Sequence, residues 1–282
     1  MAPPESRRRN RWPWHGWLGL ALVAAAWPAT WALPGPRTHI LFFPLWLGFV
    51  LTVDALVARR RGDSILIRAP LDFALLFLAS IPAWWLFELL NRRLRNWEYL
   101  GGESITGGEY LFWSSLSFST VIPAVFEAAE LLRTTRWIER FRSGPRIRRT
   151  PRLLATSAVA GALMLALTLA WPRTFFPFVW LSLIFLLEPA CAMLGRRSLL
   201  THLAGGDWRP LVALALGALL CGFFWELWNY WSYPKWVYHV PFVGIGHVFE
   251  MPLAGYLGYL PFGLELYSLA HLLLPRPPGV QI

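Results

Sequence analysis

Long apolar runs alternate along this chain with short, arginine-bearing connections. Eight runs are long enough to cross a bilayer, which takes about 20 residues as a helix. They fall at 16–34, 40–58, 71–90, 109–132, 153–172, 175–194, 210–229 and 247–273. Several contain Pro or Gly, which a bundled membrane helix tolerates. The pattern predicts an all-α, polytopic integral membrane protein with eight transmembrane helices. Trp27, Pro28 and Trp31 stand where a signal peptide would need small residues for cleavage, so the first run reads as a retained helix.

The polar positions inside these runs repeat. Glu88 and Asn91 lie 138 positions before Glu226 and Asn229, and Pro123 and Glu127 lie 138 before Pro261 and Glu265. Asp54 and Ser64 are ten apart, as are Glu188 and Ser198. A tandem duplication, 1–143 and 144–282, accounts for these spacings. The expected plan is a disordered basic tail at 1–15, a four-helix repeat at 16–132, a basic linker at 133–152, a second repeat at 153–273 and a tail at 274–282. An even number of spans per repeat gives both halves the same orientation about a pseudo-twofold axis along the membrane normal.

Composition agrees: 56% of the 282 residues are hydrophobic, 18 are Trp, and the mean hydropathy is +0.44. The net charge of +10 suggests nucleic acid until its distribution is read. Twenty of the 26 basic residues fall on one side of the expected spans and six on the other: Arg37, Arg92, Arg93, Arg95, Arg173 and Lys235. That asymmetry follows the positive-inside rule, with both termini cytoplasmic. It points to membrane lipids, anionic head groups included, and not to nucleic acid. Cys191 and Cys221 have no metal or redox spacing and read as packing residues.

The candidate chemistry lies at span ends. Glu88 with Asn91, and Glu226 with Asn229, are i, i+3 pairs that share a helix face. Ionisable groups in membrane segments mark functional sites by default. His247 and Glu250 form a third pair at the start of the eighth span, where the first half has Glu109. Clustered carboxyls in apolar surroundings can hold a proton and act as a general acid. A metal would need Glu226, His239, His247 and Glu250 to converge, and their spacing matches no known signature. Asp54, Glu127, Glu188 and Glu265 sit toward the cytoplasmic ends, with Arg59–Arg61 and Arg196/Arg197 as expected ion-pair partners. Pro123 and Pro261 are expected to kink their spans. Trp225, Trp228, Trp231, Trp236 and Tyr256 are candidate ligand-binding aromatics, whose π faces stabilise a cation within about 6 Å.

The second-half sequence WELWNYWSYPKWVYHVPF followed by GHVFEMPLAGYLGYLPFGLELY resembles the membrane-embedded lycopene cyclases of the heterodimeric and fused type. WLFELLN, NWEYLGG and GGEYLFWSSLSFSTVIPAVFE follow the same order in the first half. The resemblance covers the last two spans of each half. The paired acids of that family are single here, Glu109 and Glu250, and its units have about three spans. It implies acid-catalysed cyclisation or isomerisation of a linear carotene, in a bacterial cytoplasmic (inner) membrane.

The leading expectation is an isoprenoid- or carotenoid-modifying enzyme without a cofactor. Glu226 and Glu250 are the acids, His247 the relay, Asn229 the orienting group and Trp225 and Trp231 the cation stabilisers. Glu88, Asn91 and Glu109 are their first-half counterparts. A proton-coupled transporter or lipid-binding membrane protein uses the same features, and a scaffold subunit is the third class. A homo-oligomer is compatible with all three.

Overall fold

The computed structural model describes residues 11–33, 35–103, 105–274 and 279–282, leaving aside the side chains of Pro36 and Arg37. Most of the expected N-terminal tail, with Arg7, Arg8 and Arg9, lies outside the described residues, as do the side chain of Arg37 and Arg276 in the C-terminal tail. The chain is helical almost throughout. Its helices are α1 (Trp14–Ala32), α2 (Phe42–Arg61), the short α3 (Ile65–Arg68), α4 (Pro70–Leu94), α5 (Gly107–Phe118) and α6 (Val121–Arg133). There follow α7 (Pro151–Ala170), the short α8 (Pro172–Phe175), α9 (Val179–Met193), α10 (Leu199–Gly205), α11 (Arg209–Asn229) and α12 (Tyr259–Leu273). Among the described residues there are also four short strands: β1 (Trp97–Leu100), β2 (Lys235–Tyr238), β3 (His247–Val248) and β4 (Met251–Pro252).

Among the described residues, six helical stretches are long and apolar enough to cross a membrane. They are Thr38–Arg61, Pro70–Leu94, Gly107–Arg133, Pro151–Ala170, Pro172–Met193 and Arg209–Asn229. The expected first span forms α1 but is not one of the six. The expected eighth span is corrected more deeply. Residues 247–252 form a β3–β4 hairpin and Leu253–Gly258 form 3-10 turns, so only 15 residues, Tyr259–Leu273, are α-helical. At 1.5 Å per residue those 15 reach about 22 Å, short of a 30 Å hydrocarbon core. Gly246 takes a left-handed φ of 66° just before the run, Phe249 takes a left-handed φ of 58° within it, and Pro252 cannot donate a helical bond.

Pro123 and Pro261 do not kink continuous helices. Each stands third in a helix that restarts just before it, α6 at Val121 and α12 at Tyr259. The first turn is where proline's missing N–H costs nothing.

α4, α6, α11 and α12 form the centre. α11 packs on both α6 and α12, and α4 touches the same two. α1 and α2 pair outside α6, while α7 and α9 pair outside α12. Both outer pairs run antiparallel: Gly16 faces Ala55 and Gly19 faces Gly48, while Gly161 faces Ser182 and Ser157 donates to the Phe185 carbonyl.

Two buried carboxylates fasten the turns that follow α2 and α9. Asp54 accepts from Ser64 Oγ (2.7 Å) and Leu66 N (3.0 Å), and His15 Nε2 stands 2.8 Å from it. Glu188 accepts from Ser198 Oγ (2.9 Å), Leu200 N (3.1 Å) and Ser268 Oγ (2.7 Å). Ion pairing of these acids with Arg59–Arg61 and Arg196/Arg197 is therefore replaced by neutral donors. A buried carboxylate needs several hydrogen bonds, and a hydroxyl plus a helix-start N–H lie within reach.

The linker is held down. Gly144 N donates to Gly206 O (2.8 Å), Ile147 N to Leu203 O (3.1 Å) and Trp208 Nε1 to Pro145 O (2.9 Å). At the C-terminal end, Gly279 N meets Asp72 (2.9 Å), Gln281 N meets Glu130 (2.6 Å) and Arg68 Nε meets Gly279 O (2.8 Å).

Backbones touch where α11 crosses its neighbours. A Cβ on Gly263 would fall 2.3 Å from the Leu214 carbonyl oxygen, and one on Gly217 would fall 2.9 Å from Ala129 N. Gly263→Ala should therefore lower the melting temperature in detergent, at a cost of about 1–3 kcal/mol. Gly205→Ala meets open space and should melt like the parent. Equal melting of the two variants would show that the close crossing is dispensable.

Candidate active site

The site begins with two asparagines at helix ends. Asn91 Oδ1 accepts from Asn96 N (2.9 Å) and Trp97 N (3.3 Å), while its Nδ2 donates to Trp97 O (2.8 Å). Asn229 does the same for Trp236, accepting from its N (2.9 Å) and donating to its O (2.7 Å). Each amide thus imitates a neighbouring strand and turns the chain back over the end of its own helix. The two returning strands, β1 and β2, then pair with each other, antiparallel, with Trp97 opposite Tyr238 and Tyr99 opposite Trp236.

This return delivers a phenol to each acid. The acids lie one helical turn before the asparagines, on the same face. Tyr99 donates to Glu88 Oε1 (2.6 Å), which also accepts from Trp84 Nε1 (2.9 Å) and Trp97 Nε1 (3.2 Å). Tyr238 donates to Glu226 Oε1 (2.6 Å), as does Tyr259 (2.8 Å), and Trp236 Nε1 donates to the Tyr238 hydroxyl (2.9 Å). Glu226 is fully buried, and its Oε2 has no hydrogen-bond partner. Burial, reinforced by the Glu226 carboxylate, pushes the Tyr238 phenol well above its ordinary range, so it stays a donor near neutral pH.

The phenols bonded to the two acids, Tyr99, Tyr238 and Tyr259, line one cavity of about 220 Å³, with Glu88 and Glu226 behind them. Trp84, Trp97 and Tyr99 come to its walls from the first half of the chain, and Trp180, Trp225, Trp236, Tyr238, Tyr259 and Phe262 from the second. Ligand pockets usually measure about 300–1,000 Å³. This one is smaller than that range.

The expected site residues divide. Glu88, Glu226, Trp225 and Trp236 are at the cavity or bonded to its wall, and Asn91 and Asn229 position the strands. Glu250 is not on a helix with His247. It pairs with Lys235, and His247 is exposed on β3. The i, i+3 relation assumed for that pair fails because the segment is a hairpin. Glu109 is exposed, in a capping box with Thr106 at the start of α5. Trp228 is buried against Trp46, away from the cavity, and Trp231 is 61% exposed and packs on Trp31. Tyr256 is not in the wall and donates to Val248 O (3.1 Å). The four metal candidates do not gather: Glu226 is held by phenols, Glu250 by Lys235, and His239 Nε2 stands 2.9 Å from Glu98. Among the described residues there is no group of three or more His, Cys, Asp or Glu placed to hold a metal ion.

Tyr99, Tyr238 and Tyr259 are the donors to the acids that residue spacing did not assign. The available signal was the Trp-x-Tyr pattern after each Glu-x-x-Asn, Trp97–Tyr99 and Trp236–Tyr238, at an offset of 139.

Asn91→Ala or Asn229→Ala should loosen the β1–β2 ladder, at about 1–3 kcal/mol for the unsatisfied strand groups. Amide exchange at Trp97 and Trp236 should quicken in either variant; protection left intact would remove the asparagines from the anchoring role. Tyr238→Phe should cost a similar 1–3 kcal/mol, the range for a hydrogen bond to a carboxylate, read from thermal unfolding. Compared with protein-family models, with curated proteins and with solved structures, the chain finds no match in any of the three.

Proposed function

We propose that this protein is a membrane enzyme that protonates a carbon–carbon double bond in the end group of a carotenoid or related isoprenoid, in the manner of the lycopene cyclases it resembles. Its frame would be two like halves, the first of four helical passes and the second of three passes with the shorter α12 in the fourth place, and both termini on the cytoplasmic side. The matched asparagine anchors, the reciprocal β1–β2 register and the shared packing plan support the duplication.

The observation that carries the reading is the meeting, at one aromatic cavity, of phenols that are each hydrogen-bonded to a carboxylate behind the wall. When Glu226 is protonated, Tyr238 or Tyr259 accepts its hydrogen and turns its own toward the bound end group. The alkene takes that proton at one carbon and leaves a cation at the other. The faces of Trp225, Trp236 and Trp97 stabilise the positive charge, which an aromatic ring does within about 6 Å. A neighbouring double bond closes on the cation, and the Tyr99–Glu88 pair receives the proton then lost. One proton enters and one leaves, so no external reagent is consumed.

A transporter reading draws on a different observation. Glu127 and Glu265 are fully buried carboxyl groups that stand outside the cavity wall. Proton-linked flux that depends on Glu127 and Glu265, but not on Glu226, would favour it.

The enzyme reading is tested by expression in bacteria that accumulate lycopene or its linear hydroxy and keto derivatives. The parent should convert one of these pigments. Glu226→Gln should lower conversion by 10²-fold or more, the usual contribution of a general acid. Unchanged pigments and isoprenoids in every host would discard it.

A further inference from the structure

Of the 26 basic residues one is a lysine, and it lines the cavity. Lys235 opens β2, opposite Leu100 of β1. Its Nζ donates to Glu250 Oε1 and to Tyr230 O (3.2 Å), and lies 5.9 Å from the centre of the Tyr230 ring. An ammonium carries three N–H groups, and these acceptors take two. A guanidinium would spread its donors over a wide planar fork, whereas an ammonium is a compact point donor.

Two further facts define what this group can hold. Glu250 neutralises its charge at contact distance, so a phosphate or carboxylate gains little there. The walls around it are aromatic rings, among them Trp97, Trp236 and Tyr238, which favour a flat, apolar end group.

We propose that Lys235, aimed by Glu250, binds a neutral oxygen acceptor on the ligand's end group. The ligand would then be an oxygenated isoprenoid, bearing a hydroxyl or a carbonyl, and not a pure hydrocarbon. This rests on reading the cavity as an isoprenoid site, and it gives Glu250 a positioning role in place of an acidic one.

The test is equilibrium binding to the purified full chain in detergent, read by quenching of tryptophan fluorescence. The probes are lycopene and its linear monohydroxy derivative, which differ by one oxygen. The parent should bind the hydroxy derivative about tenfold more tightly, as expected for one hydrogen bond from a charged donor. Lys235→Met should abolish that difference and leave lycopene affinity unchanged. Glu250→Gln should reduce the difference while keeping the lysine. Equal affinities in the parent overturn the proposal, and so does a Lys235→Met variant that weakens both probes alike, which marks a structural ion pair. Failure of both probes to bind removes the isoprenoid cavity itself. Conversion of pigment with no preference for the oxygenated probe removes only the role given to Lys235.

Discussion

A side-chain amide that satisfies both the N–H and the C=O of one returning residue is the contact on which this site rests. At the end of an apolar helix the backbone has no helical partners left, and water is scarce. Asn91 and Asn229 supply the missing donor and acceptor for Trp97 and Trp236. With that residue fixed, the one two positions on points the same way, because side chains alternate along an extended chain. That is why a tyrosine reaches a glutamate one turn back on the helix in both halves.

The halves share a plan but not a finish. α5, which opens the last stretch of the first half, is a capped helix, while the equivalent stretch of the second half is a hairpin followed by 3-10 turns. The difference goes with Thr106 and Glu109, which close a capping box, against Gly246 and Phe249, whose left-handed φ angles no right-handed helix uses. Glu88 is bound by two indoles and one phenol, whereas Glu226 is bound by two phenols and keeps one oxygen unpartnered. The two matched carboxylates thus lie in unlike surroundings.

Much of this was legible in the sequence. Long apolar runs placed most of the helices within a few residues, and the recurring Glu-x-x-Asn located both acids. The spacing of Asp54 to Ser64 and of Glu188 to Ser198 marked real contacts, though hydrophobic pattern could not say that the partner was a hydroxyl and not an arginine. The errors cluster at 247–258. There an apolar run mimics a helix, but Phe249 turns the backbone left-handed and Pro252 cannot donate a helical bond, and the expected His247–Glu250 pair disappears with the helix. The pairing of β1 with β2 was beyond reach, since it joins segments about 140 residues apart and leaves only a two-residue aromatic signature in each.

The strand ladder has a further implication for how the two halves belong together. β1 lies in the first half and β2 in the second, and the outward amides and carbonyls of each find a strand partner only in the other. The seam is self-complementary: the tryptophan of each strand faces the tyrosine of the other. The ladder therefore ties the halves at a second place, apart from the covalent link through residues 142–150. Two separate polypeptides cut at that loop would carry matching faces, so the single chain is one way, among others, of delivering both at equal dose.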